Sequence, residues 1–274
     1  MQRTDNPARL AILGAGEIGR RLLGVIPLWN VPGIEIAVFA RPDSVARIDR
    51  RFVSAVFTDA TDLIAWKPSV AVECAGHHLV QTVVPSLLAQ GTDVVIASIG
   101  ALANESVREG LRANAASGGG RIVLVSGAIG GLDALAACRL AGLREVRYVG
   151  TKPARAWLGT PAEATCDLAA LRAPAVIFDG NAGEAATRFP KNANVAAAVA
   201  LAGAGFERTQ VRLIADPAST ENVHEIFVNA ACGTFTIRLQ NSPLPENPKT
   251  SWLAALSVEA ELASYFGLDG LKAA

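Results

Sequence analysis

The run Arg9-Leu10-Ala11-Ile12-Leu13 passes without a break into Gly14-Ala15-Gly16-Glu17-Ile18-Gly19 and then into the helical pattern Arg20-Arg21-Leu22-Leu23. A short apolar strand, a turn with glycines at its first, third and sixth positions, and a helix leave few folds open. Gly14 permits the tight turn, Gly16 lets backbone approach a phosphate, and Gly19 lets the helix lie against the strand. Amide N–H groups at the helix N-terminus then face an anion. The expectation is a dinucleotide-binding, Rossmann-type unit whose cofactor contacts include Gly14, Gly16, Glu17, Ile18 and Gly19.

The chain that follows keeps this alternation. Strand-like runs at residues 34–41, 69–76, 93–98 and 121–127 are separated by helical stretches at 79–91 and 105–119. Strand, helix and strand repeated in this way predict a parallel sheet with right-handed crossovers. Beyond Gly130-Gly131 the pattern changes. Residues 144–153, 175–181, 210–216, 222–230 and 233–240 alternate polar and apolar side chains, as an antiparallel sheet with one wet face requires. Helices are expected at 132–142, 194–206 and 251–267, the last amphipathic, with Trp252, Leu253, Leu256, Val258, Leu262 and Phe266 as its apolar stripe. Pro243, Pro245 and Pro248 make the link before it stiff and non-helical.

The fold class is therefore α/β: a Rossmann-type parallel sheet with a second α+β domain containing a mainly antiparallel sheet. Residues 1–127 plus 245–274 form the expected dinucleotide-binding domain, its C-terminal helix packing back. Residues 128–244 form the expected substrate, catalytic and dimerisation domain. A homodimer follows from the alternating strands, whose outer face can pair with its copy.

Charge and cysteines exclude several classes. Lysine plus arginine and aspartate plus glutamate are both 25, so neither nucleic acid nor an anionic membrane is favoured as a partner. Cys74, Cys138, Cys166 and Cys232 are far apart in sequence, with no C-x-x-C pair, which argues against a zinc site or a disulfide framework. The N-terminal residues lead almost directly into the first strand, without the long apolar run of a leader. A cytoplasmic protein with no membrane span is expected.

The second strand ends in Ala40-Arg41, where an NAD-specific unit usually places an acid on the ribose. Arg41 can instead meet a 2′-phosphate, so the cofactor is read as NAD or NADP. Cys74 and Ala75, after the strand at 69–76, and Ser98, after the strand at 93–98, fall at the carboxyl edge where ligands bind. His77 and His78 are read as capping or exposed residues rather than catalytic ones.

Three further strings are distinctive: Gly180-Asn181-Ala182-Gly183-Glu184-Ala185, Phe189-Pro190-Lys191-Asn192-Ala193-Asn194-Val195, and Asn222-Val223-His224-Glu225-Ile226. With the glycine turn, Val72-Glu73-Cys74-Ala75 and Ser126-Gly127-Ala128-Ile129-Gly130-Gly131, their order resembles the L-aspartate dehydrogenase family over essentially the whole chain. The resemblance implies NAD(P)-dependent oxidation of L-aspartate to iminoaspartate, which feeds pyridine-nucleotide biosynthesis or hydrolyses to oxaloacetate and ammonia, with reductive amination as the reverse. It places His224 on the catalytic histidine and Ala128 and Asn194 on cofactor contacts.

The chemistry agrees with that assignment. Hydride transfer from an amino-acid Cα needs a neutral amine and a group able to exchange a proton near pH 7, a task that suits histidine. Only His224 among three histidines lies in the second half, on a strand where it shares a face with Ile226 while Glu225 faces away. A dicarboxylate also needs cationic or N–H-rich partners. Lys152 and Lys191 are the candidates, and Asn192 and Asn194, short amides at the start of the following helix, can cap it or reach the nicotinamide amide. Two other readings stay open: a related two-domain oxidoreductase of the homoserine dehydrogenase or dihydrodipicolinate reductase kind, and a dinucleotide-binding regulator without turnover.

Overall fold

Valine, isoleucine and alanine fill the inner strands of the first sheet because those strands are buried on both faces. The computed structural model describes residues 8–190, 192–245 and 247–268 and divides into two units. One takes the chain up to Ala101, Glu105–Val125 and the residues from Val258 onward; the other takes Leu102–Asn104 and Ser126–Ser257.

The first unit is a parallel sheet of β1 (Arg9–Leu13), β2 (Glu35–Phe39), β3 (Ala55–Phe57), β4 (Val70–Glu73), β5 (Asp93–Ile96) and β6 (Ile122–Leu124), in the order β3-β2-β1-β4-β5-β6. Helices α1 (Glu17–Val25), α2 (Ala60–Ala65), α3 (His77–Thr82), α4 (Val84–Ala89) and α5 (Glu105–Gly118) lie between the strands in sequence. Strands β4 and β5 are buried at every position. The strand order reverses between β1 and β4, and such a switch point is where open parallel sheets bind ligands. Two details depart from expectation. The edge strand β3, of three residues, is too short to show periodicity. The helix expected over 79–91 is two helices divided at Val83, because Pro85 has no N–H to continue the first and starts the second instead.

The second unit is α+β. Helix α6 (Leu132–Ala141) precedes β7 (Leu143–Pro153), β8 (Ala175–Asn181), α7 (Ala182–Arg188), α8 (Asn194–Ala202), β9 (Thr209–Asp216), β10 (Asn222–Ala230) and β11 (Gly233–Asn241). The sheet runs β11-β10-β7-β9-β8, and only the β7–β9 pair is parallel. Its core gathers Tyr148, Trp157, Phe178, Phe189, Leu213 and Ile226 with the alanine-rich face of α8. Asn181 and Glu184 close a capping box on α7, so the Gly-Asn-Ala-Gly-Glu string has a local structural cause.

The proline-rich link forms a short ladder of β12 (Pro243–Leu244) and β13 (Asn247–Ser251), non-helical as expected. The final helix, α9 (Trp252–Tyr265), corrects its expected stripe: Ala255, Val258 and Leu262 are buried, whereas Trp252 and Leu256 are exposed. The buried face is centred on a small residue, Ala255, which a stripe drawn through the largest side chains passes over. No helix among the described residues is long and apolar enough to cross a membrane.

Candidate active site

In the first unit the glycine turn is held from two sides. Gly14 donates its N–H to Phe39 O at 2.9 Å, and Cys74 donates its own to Leu13 O at 3.1 Å, so the ends of β1, β2 and β4 are locked together. Gly14 has φ +125°, and a Cβ there would stand 2.9 Å from the Ala75 Cβ. At Gly19 a Cβ would be 2.1 Å from Gly14 O, so α1 can lie this close to the turn only at a glycine. At Gly16 nothing lies within 4 Å of the same position. An open cradle over backbone, at the N-terminus of a nine-residue helix, fits the pyrophosphate of a dinucleotide. Glu17 and Ile18 occupy the first turn of α1, and Arg20 pairs with the Glu17 carboxylate, meeting its charge.

Glu73 is a member of this edge that sequence reasoning passed over as part of a small-residue string. Its side chain is fully buried at the end of β4. Oε1 accepts from Ala75 N at 2.8 Å, Gly76 N at 2.7 Å and Ser98 Oγ at 3.0 Å, and Oε2 accepts from Ser98 N at 3.0 Å. One carboxylate therefore fixes the loops after β4 and β5, placing Cys74, Ala75 and Ser98. Burial raises its pKa, against the four hydrogen bonds that lower it. The Cys74 thiol points to Leu13 O at 3.5 Å, and burial pushes its pKa well above the ordinary thiol value, so Cys74 packs under the turn and is not a nucleophile. Arg41 is exposed just beyond β2, 3.6 Å from Asp43 Oδ1.

The second unit brings its chemistry together across the β7–β10 ladder. His224 stands opposite Gly150, with Tyr148 and Lys152 two residues to either side of that glycine on β7. Tyr148 Oη lies 2.7 Å from His224 Nδ1, and the two rings are nearly parallel, 6.0 Å apart at 16°. His224 is 2% exposed, and its Nε2 is buried without a hydrogen-bond partner among the described residues. Asn222, two residues back on the same face, likewise keeps a buried Oδ1 without one. Lys152, 7% exposed, donates from Nζ to Asn192 Oδ1 at 3.1 Å and lies 5.7 Å from the centre of the Trp157 ring. Trp157 is in turn pinned by its indole N–H to Ile214 O at 3.2 Å.

Burial sets the electrostatics of this cluster. It lowers Lys152 to about 8. Burial first, and the Lys152 charge second, lower His224 to about 3. The imidazole is thus neutral at pH 7, which departs from the expected group exchanging a proton near neutrality; the group that titrates near there is Lys152. A desolvated cation disfavours a second positive charge beside it.

The structure joins Lys152 to Asn192 and sets both in the unit that holds His224. Asn194 is the first residue of α8, whose N-cap position is taken by Ala193. Ala128 is buried, its carbonyl accepting from Asn241 Nδ2 at 2.8 Å. Lys191 lies outside the described residues. His77 and His78 open α3, and His78 is exposed. Tyr148, Gly150 and Asn222 were missed in sequence; the available signal was a strand reading Tyr-x-Gly-x-Lys, with a gap in the middle of its buried face. Cys138 and Cys232 are free thiols, yet the fold brings their sulfurs within 3.4 Å of each other despite their distance in sequence.

Comparison with known proteins decides the family. Residues 133–265 match the family model described as aspartate dehydrogenase, C-terminal, and residues 14–125 match that of the homoserine dehydrogenase NAD binding domain. The L-aspartate dehydrogenase of Pseudomonas aeruginosa is 46% identical over 261 residues, covering 93% of this chain and 97% of that protein. The chain belongs to the L-aspartate dehydrogenase family. The Cupriavidus taiwanensis member is 45% identical over 258 residues, with 93% and 96% covered. The crystal structure of aspartate dehydrogenase from Thermotoga maritima matches with a TM-score of 0.69 at 27% identity, over 96% of this chain and 97% of that one. A dihydrodipicolinate reductase from Paenisporosarcina, at 16% identity and a TM-score of 0.51, shares the fold alone. As a family member, the chain is an oxidoreductase acting on an amino acid.

Proposed function

We propose that this protein oxidises L-aspartate to iminoaspartate with NAD or NADP, and runs the reverse reductive amination when oxaloacetate and ammonia are supplied. Within the chain, the observation that carries the reading is the unpartnered, buried Nε2 of His224 in the unit that matches the aspartate dehydrogenase C-terminal model. A buried polar atom held ready without a partner is what a substrate contact looks like before substrate arrives.

The first unit holds the dinucleotide: Gly14, Gly16, Glu17, Ile18 and Gly19 form the phosphate turn, Cys74, Ala75 and Ser98 line the neighbouring loops, and Arg41 meets a 2′-phosphate when NADP binds. When bound, the nicotinamide ring supplies the hydride acceptor. The second unit handles the amino acid, and Ala128 and Asn194 are read as cofactor contacts by the family resemblance. His224 touches the substrate through Nε2, and Asn222 Oδ1 offers an acceptor to its N–H groups. Lys152, steadied by Asn192, is the proton acceptor. Two ammonium groups in one desolvated site repel, so one proton must leave, and Lys152 gives up its proton more readily than an ordinary lysine. The neutral Nζ then takes the proton of the substrate ammonium and frees the amine lone pair that assists loss of hydride from Cα.

In this reading the imino product feeds pyridine-nucleotide biosynthesis in the cytoplasm. Two copies pair through the outward face of the second sheet, where Arg147 lies 5.2 Å from the Phe227 ring centre and Glu225 pairs with Arg238 at 3.4 Å. Light scattering that returned a monomer would remove the dimer. His224→Ala should lower kcat/KM for L-aspartate by about 100-fold while cofactor affinity survives. Near-normal turnover would take His224 out of the mechanism.

A further inference from the structure

We propose that Tyr148 is a positioning residue that keeps the proton of the neutral His224 ring on Nε2, so that His224 meets the substrate as a hydrogen-bond donor to a carboxylate. The substrate part of this statement rests on the reading of the second unit given above. A phenol and an imidazole 2.7 Å apart can share their hydrogen bond in two ways. If Nδ1 carried the proton and donated to Oη, the phenol hydrogen would lack an acceptor, since Nδ1 is the only hydrogen-bond partner of Oη among the described residues. The Nε2 lone pair would be unmet as well. If the phenol donates to Nδ1, one group alone, Nε2–H, awaits a partner. The second arrangement leaves fewer buried polar groups unmet and is the stable one.

Three features support it. Gly150, directly opposite His224, makes room for the phenol, because a Cβ there would stand 2.6 Å from Oη. The nearly parallel rings fix the imidazole plane and so the direction of Nε2. Burial and the Lys152 charge both oppose a second proton on the ring. An uncharged N–H donor in a dry site suits an anionic acceptor, and a dicarboxylate brings two.

The test reads the ring itself. Protein labelled with 15N in histidine carries three labelled rings, and the His224 signals are those lost in His224→Gln. The expected wild-type spectrum shows Nε2 protonated and Nδ1 bare across the neutral pH range. Tyr148→Phe should abolish that preference and raise KM for L-aspartate about tenfold, with KM for the dinucleotide unchanged. Gly150→Ala keeps both Tyr148 and His224 in the sequence but displaces the phenol, and should give the same spectral change; it decides the matter if Tyr148→Phe fails to fold. A wild-type proton on Nδ1, or an unaltered tautomer in the folded variant, overturns the proposal. The spectra need no aspartate, so absence of aspartate turnover would remove the functional reading and leave the tautomer standing.

A separate observation carries a second site. We infer that Cys138 and Cys232 form an oxidisable pair: they lie 94 positions apart in sequence, on α6 and the β10–β11 turn, with sulfurs 3.4 Å apart. The Ala231 N–H donates to Gly142 O at 3.0 Å and ties the two segments together, and Cys232 is exposed to reagent. With hydrogen peroxide as oxidant, one thiolate is oxidised to the sulfenic acid with release of hydroxide. The other sulfur then displaces that oxygen, so that two thiols and one peroxide give one disulfide and two waters. Exposure of the native protein to one equivalent of peroxide should lower its titratable thiols from four to two and yield a 138–232 cross-linked peptide, absent in Cys232→Ser. Four remaining thiols, or a sulfinic acid at Cys232 without cross-link, overturns the inference.

Discussion

At Gly150 a single methyl group would stand 2.6 Å from the Tyr148 hydroxyl, so a strand position with no chemistry of its own governs how His224 is held. Lys152 makes the sharpest prediction at this scale. Its pKa in the folded chain is lowered to about 8, below the ordinary lysine value of 10.5, so the unfolded chain binds the extra proton between these limits. Stability should therefore rise with pH across that window, and the penalty should be complete below it. The melting temperature of Lys152→Met should exceed that of the wild type at pH 7, with the gap closing toward pH 10.5; a constant gap would show that Lys152 titrates normally. In turnover the same residue predicts that kcat/KM for L-aspartate rises as pH passes about 8, and that Lys152→Met loses this rise. Arg41→Asp should shift preference toward NAD, and an unchanged ratio of NAD to NADP rates would make Arg41 a surface charge only. His224 and Lys152 could be singled out from sequence because each is a chemically distinctive residue on an alternating strand. Tyr148 and Asn222 could not, because their roles depend on the β7–β10 register, which joins segments more than 70 residues apart through contacts that local patterning does not encode.

Elements show where local pattern suffices and where packing intervenes. The glycine turn is legible because one short stretch holds strand, turn and helix start. Gly19→Ala should cost roughly 3 kcal/mol or more, since the new Cβ would meet the Gly14 carbonyl at 2.1 Å and α1 must move away; denaturant unfolding measures it, and a loss under 1 kcal/mol would contradict the packing described. Strands β8, β10 and β11 start at the residues their alternation indicates. The face of α9 misleads because Ala255 is buried and Trp252 is not, a choice made by neighbours rather than by hydropathy. Glu73 likewise looks like one residue in an apolar string, yet it joins the loops after β4 and β5 through four hydrogen bonds. Glu73→Gln replaces an acceptor oxygen with an amide donor facing backbone N–H groups. Dinucleotide affinity, read by titration calorimetry, should fall about tenfold or more. Unchanged affinity would mean these loops do not hold the cofactor.

For the whole molecule, one unit carries a backbone-built cradle at its glycine turn, and the other carries a desolvated His, Lys and Tyr cluster. The fold class was readable because each sheet type leaves its own periodicity in the chain, continuous apolar runs in the first and alternation in the second. The chemistry was not readable from fold alone, since the same cradle serves many oxidoreductases; it came from the strings that tie the second unit to the aspartate dehydrogenase family. The most direct measurement is the initial rate of nicotinamide reduction, followed by near-ultraviolet absorbance, with L-aspartate and either NAD or NADP, paired with the reverse rate from oxaloacetate and ammonia. Saturable turnover with L-aspartate and at least one cofactor is predicted. No reduction with either cofactor, together with no oxidation of NADH or NADPH in the reverse assay, would contradict the account.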